Sequence, residues 1–503
     1  MTEILRAVET ARPEALAATG IPGLDDIMRG GFAPNRLYLI EGVPGSGKTT
    51  LALQYLLEGA RVGERVLYVT LSETEEELHA IARSHGWSLE GIHVHELVPP
   101  EEGPDADEPY TMFHPAEVEL GHTTQLILSE VERINPARVV FDSLSEVRLL
   151  SGSALRFRRQ ILALKRYFSG RACTVLLLDD LTTATRDLQV QSIAHGVVLL
   201  EQMSPEYGAE RRRLRVVKYR GVSFRGGFHD FTIRPGGLVV FPRLVAAEHR
   251  QPTFGHRLPS GVAELDRLLG GGIEQGTSTL ILGPPGAGKS SLATQFVATA
   301  AAHGQNSAMF VFDESRQTLL SRAASLGSDL GPHIESGRVR VQMVDPAELS
   351  PGELAHAIKM SVEQDKAAIV VIDSLNGYMN AMPDERFLTV QLHELLSYLG
   401  QMNVATMLIA AQQGLIGSQM NSPVDATYLA DAAILVRYFE AGGQVRQAIS
   451  VIKKRGGEHE RSIREFRLES GGIRVGEPLT RFRGVLTGVP VYEGASGDLM
   501  EKR

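Results

Sequence analysis

The segment Gly42-Val43-Pro44-Gly45-Ser46-Gly47-Lys48-Thr49-Thr50 restricts the possible folds more than any other, and it occurs twice. Its second copy reads Gly283-Pro284-Pro285-Gly286-Ala287-Gly288-Lys289-Ser290-Ser291. Both satisfy G-x-x-x-x-G-K-[ST]. Glycines at these places let the backbone curl until successive N–H groups point inward, which makes a nest for phosphate oxygens at a helix N-terminus. In that geometry Lys48 and Lys289 reach the β- and γ-phosphates of a nucleotide, and the hydroxyls of Thr49 and Ser290 ligate Mg²⁺. The flanks agree. Apolar runs at 37–40 and 280–282 precede the loops, and helical patterns (Leu51, Leu53, Leu56, Leu57; Leu292, Phe296, Val297) follow them.

Other landmarks repeat in the same order. Leu24-Asp25 and Leu265-Asp266 are separated by the same offset as Lys48 and Lys289, and a Gly-Gly turn follows each. Val140-Phe141-Asp142-Ser143-Leu144 matches Val371-Ile372-Asp373-Ser374-Leu375, and Lys218-Tyr219-Arg220-Gly221 matches Lys453-Lys454-Arg455-Gly456. Landmarks at such long spacing mean tandem duplication, not a short-period solenoid. The halves meet near 243–259, where charged and Pro-containing sequence replaces the strand pattern. We expect a first domain over 1–246, a second over 247–488 and a short tail over 489–503.

Strands alternate with helices in each half. In the first, strands are expected near 37–41, 66–71, 93–97, 138–142 and 174–178. Helices are expected from 48, over 75–84, up to about 134 and over 154–168. The acidic, Pro-rich stretch 99–115 reads as a surface loop. The segments 197–201, 214–219 and 228–233 read as antiparallel strands. The run 368–372 is apolar on both faces, as in a central parallel sheet covered by helices. The fold class is α/β, a tandem pair of P-loop domains, each with an antiparallel edge and a crevice at the C-terminal strand ends.

Carboxylates supply the second part of such a site. Asp142 and Asp373 end apolar strands about 90 residues beyond the loops, where each can hold a Mg²⁺-bound water opposite the loop hydroxyl. The strand after each loop helix ends in Leu71-Ser72-Glu73-Thr74 or in Phe312-Asp313-Glu314-Ser315. A carboxylate there lies beside the γ-phosphate and can polarise a water or accept a proton from a hydroxyl nucleophile. Glu73, Asp313 and Glu314 are the catalytic candidates, with Asp313 also a candidate metal ligand. Ser72 or Thr74 can equally cap the helix that begins at Glu75. Lys218 and Arg220, and likewise Lys453 and Arg455, lie two apart at a strand end and share a face. Their duplication suits a task such as stabilising phosphoryl charge from a neighbouring subunit, which requires an oligomeric ring.

Composition excludes several classes. With 503 residues, 43 % apolar and 22 % charged, this is an ordinary soluble globular chain of two or three domains. Apolar runs are too short for a membrane span, and the N-terminus lacks the pattern of a signal peptide. Cys173, the one cysteine, sits in an apolar strand and reads as an inert core thiol. A cytoplasmic location is expected. The net charge of −9 argues against a sequence-independent grip on nucleic acid.

Taken together, these residues resemble the KaiC family, RecA-like tandem ATPases that include the cyanobacterial circadian clock protein. The resemblance spans almost the whole chain. It includes Thr19-Gly20-Ile21-Pro22-Gly23-Leu24-Asp25, both P-loops and Ala82-Arg83-Ser84-His85-Gly86-Trp87. It continues through the strand ending Asp373-Ser374-Leu375, Lys453-Lys454-Arg455-Gly456 and Ser462-Ile463-Arg464-Glu465-Phe466 to Phe482-Arg483-Gly484-Val485-Leu486-Thr487-Gly488. It implies two RecA-like domains in hexameric double rings with ATP and Mg²⁺ between protomers. It also implies slow hydrolysis in the first ring, autophosphorylation and dephosphorylation in the second, and clock-type or signalling protein partners.

Carried over by position, the nucleotide-binding residues are Gly45, Ser46, Gly47, Lys48, Thr49, Thr50, Ser84, Lys218, Tyr219 and Arg220 in the first half. In the second they are Gly286, Ala287, Gly288, Lys289, Ser290, Ser291, Lys453, Lys454 and Arg455. The basic steps would serve the neighbouring protomer's nucleotide. The family's paired glutamates fall on Ser72-Glu73 and Asp313-Glu314, so the first half keeps one carboxylate and the second a shorter one. Its phosphoacceptor pair falls on Thr427 and Tyr428, with Thr427 the better acceptor and Ser422 a minor one. An aromatic residue near the family's second-domain adenine is replaced by Leu326 in Ser325-Leu326-Gly327, which implies weaker adenine discrimination there. The short tail after Gly488 lacks the segment that binds the clock protein's activating partner.

Three function classes follow. The first is a self-phosphorylating hexameric ATPase serving a clock, a timer or a stress response. The second is a nucleic-acid motor of RecA or DnaB type, disfavoured by the acidic charge and the lack of an evident basic or aromatic strip. The third is a nucleotide-gated scaffold with little turnover, to which Ser72 lends weight.

Overall fold

The structure, a computed structural model, describes residues 15–97, 115–181, 188–249, 255–380, 388–412, 428–486 and 491–492. The chain divides into two compact units, Met1–Arg243 and Leu244–Arg503. Each carries one nine-stranded sheet among its described residues.

In the first unit the strands are β1 (Leu37–Gly42), β2 (Val66–Thr70), β3 (Ile92–Glu96), β4 (Arg138–Asp142), β5 (Thr174–Asp180), β6 (Gly196–Met203), β7 (Arg211–Tyr219), β8 (His229–Arg234) and β9 (Gly237–Phe241). Their order across the sheet is β3-β2-β4-β5-β1-β6-β7-β8-β9. The strands from β3 to β6 run parallel, and β7, β8 and β9 then add antiparallel hairpin pairings.

The second unit opens with a two-stranded ribbon, β10 (Arg257–Leu258) and β11 (Ile273–Glu274). Its large sheet holds β12 (Ser278–Gly283), β13 (Asn306–Val311), β14 (Val339–Met343), β15 (Ala367–Asp373), β16 (Ala405–Ala411), β17 (Ala432–Ala441), β18 (Gln444–Lys454), β19 (Ile463–Glu469) and β20 (Gly472–Pro478). The order β14-β13-β15-β16-β12-β17-β18-β19-β20 repeats that of the first unit strand for strand. The duplication read from sequence is therefore a duplication of topology.

Side chains of each parallel strand alternate between two cores, which explains why these strands are apolar throughout. On one face of the first sheet Tyr38, Ile40, Tyr68, Val140 and Leu176 pack with Leu51, Leu56 and Leu78 from helices Lys48–Arg61 and Glu75–Ser84. On the other, Leu39, Leu67, Val69, Phe141, Val175 and Leu177 pack with Val131, Ile161 and Phe168 from helices Pro115–Ile134 and Ala154–Phe168. The second sheet is covered in the same way by helix Lys289–Ala302 on one face and by Pro351–Glu363 and Leu388–Gln401 on the other. Cys173 is buried, and burial pushes its thiol up to about 12, as an inert core residue requires. Among the described residues no helix is long and apolar enough to cross a membrane.

One expectation about strand direction needs correction. The segment 197–201 is antiparallel to β7 but parallel to β1, with Leu39 beside Val197. The chain leaves β5 and passes through helix Leu188–Ile193 before it returns as β6, so β6 keeps the direction of the central strands. The antiparallel edge begins only with the β6–β7 hairpin. All of the acidic stretch 99–115 except Pro115, which begins a helix, and nearly all of the tail after Gly488 lie outside the described residues.

Candidate nucleotide sites

Each P-loop joins the buried C-terminal end of a central strand to a helix. In the first unit β1 ends at Gly42, and helix Lys48–Arg61 starts after Gly47. Gly47 has φ 97° and its counterpart Gly288 has φ 96°, a left-handed turn that a side chain would strain. Ser46 N donates to Val43 O at 3.1 Å, closing the loop, and both Ser46 and Ala287 are fully buried. Gly45 and Gly286 also sit in the left-handed region. Lys48 is buried. Its Nζ donates to Gly42 O (2.9 Å) and Val43 O (3.1 Å) and lies 2.6 Å from Asp180 Oδ1. Lys289 is buried too and donates to Pro284 O at 2.8 Å, and that burial lowers its pKa.

The strand-end aspartates meet the loop hydroxyls. Thr49 Oγ1 donates to Asp142 Oδ2 at 3.2 Å, across 93 residues of sequence. Tyr68 OH donates to the same oxygen at 2.5 Å. Burial raises the pKa of Asp142 against these two hydrogen bonds. In the second unit the nearby Ser290 hydroxyl lowers the pKa of Asp373, whose buried Oδ2 lacks a hydrogen-bond partner among the described residues. Burial first, and the nearby Glu314 and Asp313 charges next among the raising influences, push Asp373 up to about 6.

A hydroxyl beside a strand-end carboxylate with a spare buried oxygen is a donor set that fits Mg²⁺. That ion takes one or two protein carboxylates plus phosphate oxygens and water. Among the described residues no cluster of three or more His, Cys, Asp or Glu side chains could hold a metal by itself.

The third part lies at the ends of β2 and β13. Thr70 Oγ1 accepts from Glu73 N (3.0 Å) and donates to Glu73 O (2.6 Å), which fixes the Glu73 backbone at the crevice. Glu73 Oε2 is buried with no partner among the described residues. Burial, then the charges of Asp142, Glu77 and Asp180, push Glu73 up to about 7. Thr74, not Ser72, caps the following helix. Glu77 N donates to Thr74 Oγ1 (3.2 Å), and Thr74 N donates to Glu77 Oε2 (2.8 Å).

The carboxylate pair of the second unit is divided. Asp313 Oδ2 accepts a short hydrogen bond from Ser374 Oγ. Glu314 is ion-paired with Arg322 at 2.5 Å, and Arg322 Nη1 donates to Ser291 Oγ at 3.1 Å. Thr50, the counterpart of Ser291, is buried.

The basic steps are not brought to the P-loop of their own unit. Lys218 lies opposite Val197, beside Leu39, and Arg220 N donates to His195 O beyond it. Both therefore sit toward the N-terminal end of β1, whereas the P-loop leaves its C-terminal end. Lys218 Nζ donates to Gln191 O, and Arg220 Nη2 to Ser192 O at 2.9 Å. In the second unit Lys453 Nζ donates to Ala430 O (2.6 Å), and Arg455 pairs with Asp431 (3.1 Å) and Tyr428 O (2.9 Å).

The residues between them point elsewhere. Tyr219 OH is held by Gly31 O (2.9 Å) and Ala33 N (2.6 Å), and Lys454 Nζ donates to Leu269 O (2.6 Å) and pairs with Glu274 (3.3 Å). Ser84 Oγ turns back onto Ile81 O at 2.7 Å, next to the contact of His85 with Arg234 O. Tyr428 is exposed at the start of the described stretch 428–486, and Thr427 and Ser422 lie outside the described residues.

Sequence reasoning missed Asp180, Arg322 and Tyr68. Asp180 carried a signal: it ends an apolar strand, as Asp142 does, but the strand was expected to stop at 178. Arg322 and Tyr68 gave none, because their partners are set by helix rotation and sheet register.

Two copies of a buried P-loop lysine, a loop hydroxyl facing a strand-end aspartate and a carboxylate at the next strand end define a tandem P-loop nucleotide-binding protein. The KaiC ATPase family model matches residues 17–245 and 258–480, and the chain belongs to that family. The circadian clock protein KaiC3 of Synechocystis sp. is 28 % identical over 488 residues, covering 95 % of each chain. The circadian clock oscillator protein KaiC of Synechococcus elongatus is 27 % identical over 481 residues, covering 94 % of this chain and 91 % of that one. That of Thermosynechococcus vestitus is 27 % identical over 478 residues, with the same coverage.

Proposed function

We propose that this KaiC-like ATP-binding protein hydrolyses ATP at the first site and transfers a phosphoryl group to its own Ser/Thr hydroxyls at the second. It would work as a homo-hexamer in timing or stress-response signalling. The observation that carries this reading is the doubled set of P-loop lysine, hydroxyl–aspartate contact and crevice carboxylate. Thr49 with Asp142, and Ser290 with Asp373, would hold Mg²⁺, Asp313 serving as a further ligand. The ion neutralises charge on the β- and γ-phosphates when bound. Lys48 and Lys289 bind the phosphates.

In the first site Glu73 takes the proton of the attacking water, with Ser72 no competitor for the role. In the second, the Arg322 guanidinium occupies Glu314, so Asp313, oriented by Ser374, accepts the acceptor hydroxyl's proton. Thr427 is the proposed acceptor, with Tyr428 and Ser422 secondary. Lys218 and Arg220, and Lys453 and Arg455, would stabilise phosphoryl charge at a neighbouring protomer's P-loop. Their position at the opposite strand ends from their own P-loop supports this assignment, and it requires a closed ring.

Incubation with γ-labelled ATP and Mg²⁺, followed by phosphosite mapping, tests the reading. Label on Thr427 that disappears in Lys289→Ala but persists in Lys48→Ala is expected. Phosphate release with no label on protein would remove the kinase role and favour a plain ATPase. Neither label nor release would bring forward the nucleotide-gated scaffold.

A further inference from the structure

The two sites share a motif but differ in what the lysine meets. In the first, Lys48 Nζ forms an ion pair with Asp180 at 2.6 Å. The sheet fixes Asp180 there. It is the register partner of Gly42, the last residue of β1, and Leu181 N donates to Gly42 O at 3.3 Å. Ser145 Oγ donates to the second oxygen of Asp180 at 3.4 Å. In the second unit the register partner of Gly283 is Ala411, so that place holds a methyl group instead of a carboxylate.

Lys48 is the cation that the loop motif directs at the outer phosphates. Asp180 thus occupies it much as a phosphate oxygen would. Nucleotide binding exchanges one anion for another at Nζ and leaves the Asp180 charge near the outermost phosphate. Asp142 and Glu73 already crowd the same crevice, and the Asp180 charge contributes to holding the proton on Glu73. Coulomb repulsion weakens with distance, so a γ-phosphate feels Asp180 more than the α- and β-phosphates do.

We propose that Asp180 is a nucleotide-discriminating residue of the first site. It holds Lys48 while the site is empty and weakens ATP binding more than ADP binding. The first site therefore favours ADP, relative to ATP, more than the second does. This inference rests on the reading of the first P-loop as a nucleotide site.

Full-length protein carrying Lys289→Ala, so that only the first site reports, is titrated with fluorescent ADP and with a fluorescent, non-hydrolysable ATP analogue in Mg²⁺. Adding Asp180→Asn, which keeps the side-chain shape, is expected to tighten the ATP analogue by about tenfold and ADP by no more than about threefold. The reciprocal change, Ala411→Asp in a Lys48→Ala background, should weaken the ATP analogue at the second site more than ADP. Equal changes for both nucleotides, no change, or loss of ATP affinity in Asp180→Asn would overturn the proposal while leaving the first P-loop a nucleotide site. Binding of neither nucleotide, with Asp180 present or replaced, would defeat that reading as well.

Discussion

In the proposed mechanism Glu73 would carry the proton transfer of the first site in one side chain. Its pKa rises from 4.5 to about 7, chiefly through burial. A carboxyl with a raised folded-state pKa binds its proton more tightly folded than unfolded. Its contribution to stability is full below pH 4.5 and is lost as pH rises through about 7. Asp373, pushed up to about 6, acts in the same direction. Urea unfolding of the nucleotide-free protein should therefore show stability falling between about pH 4 and pH 7, and Glu73→Gln should remove roughly 1–2 kcal/mol of that fall. An unchanged slope in the variant would refute the assignment. With Lys289→Ala silencing the second site, kcat/KM for ATP hydrolysis should rise as pH passes through about 7, and Glu73→Gln should abolish the activity.

Tyr68→Phe removes a donor from buried Asp142 and should cost about 1–3 kcal/mol of stability, read as a lower urea midpoint. Asp142 was legible because an aspartate ending an apolar run after a P-loop has few other meanings. Tyr68 was not, because only the parallel register places its hydroxyl beside that carboxylate.

At the scale of elements, the helix after β2 depends on its cap. The sequence offers Ser72 or Thr74, and the reciprocal hydrogen bonds between Thr74 and Glu77 decide for Thr74. Thr74→Ala should destabilise the protein by about 1 kcal/mol in urea unfolding, whereas Ser72→Ala should change it by less than about 0.5 kcal/mol. The opposite ranking would mean that Ser72 carries the cap. Helices Glu75–Ser84 and Ala154–Phe168 and strand Arg138–Asp142 coincide with the periodicities that announced them. The order of strands was not legible, because local pattern says nothing about which neighbour a fully apolar strand takes. The direction of β6 was misread for that reason. β9 was missed because Gly236-Gly237 reads as a turn near the junction of the halves, not as the start of a strand.

For the whole molecule, duplication is the organising fact, and the copies have diverged at their chemical groups. The first unit pairs its P-loop lysine with Asp180; the second pairs Glu314 with Arg322. If each basic step serves a neighbouring P-loop, two inactive proteins can complement each other. Lys48→Ala and Lys218→Ala, each in a Lys289→Ala background, should be nearly inactive alone. They should regain measurable phosphate release when assembled together, because mixed rings contain interfaces with both groups intact. Failure to regain activity in rings shown to be mixed would confine each site to one chain.

The most direct measurement counts bound nucleotide per chain at saturating, non-hydrolysable ATP analogue and Mg²⁺. Two are expected for the wild type, one for Lys48→Ala or Lys289→Ala, and none when both lysines are replaced. A wild-type count of one, or counts that do not fall when the lysines are replaced, would contradict a nucleotide site at each P-loop.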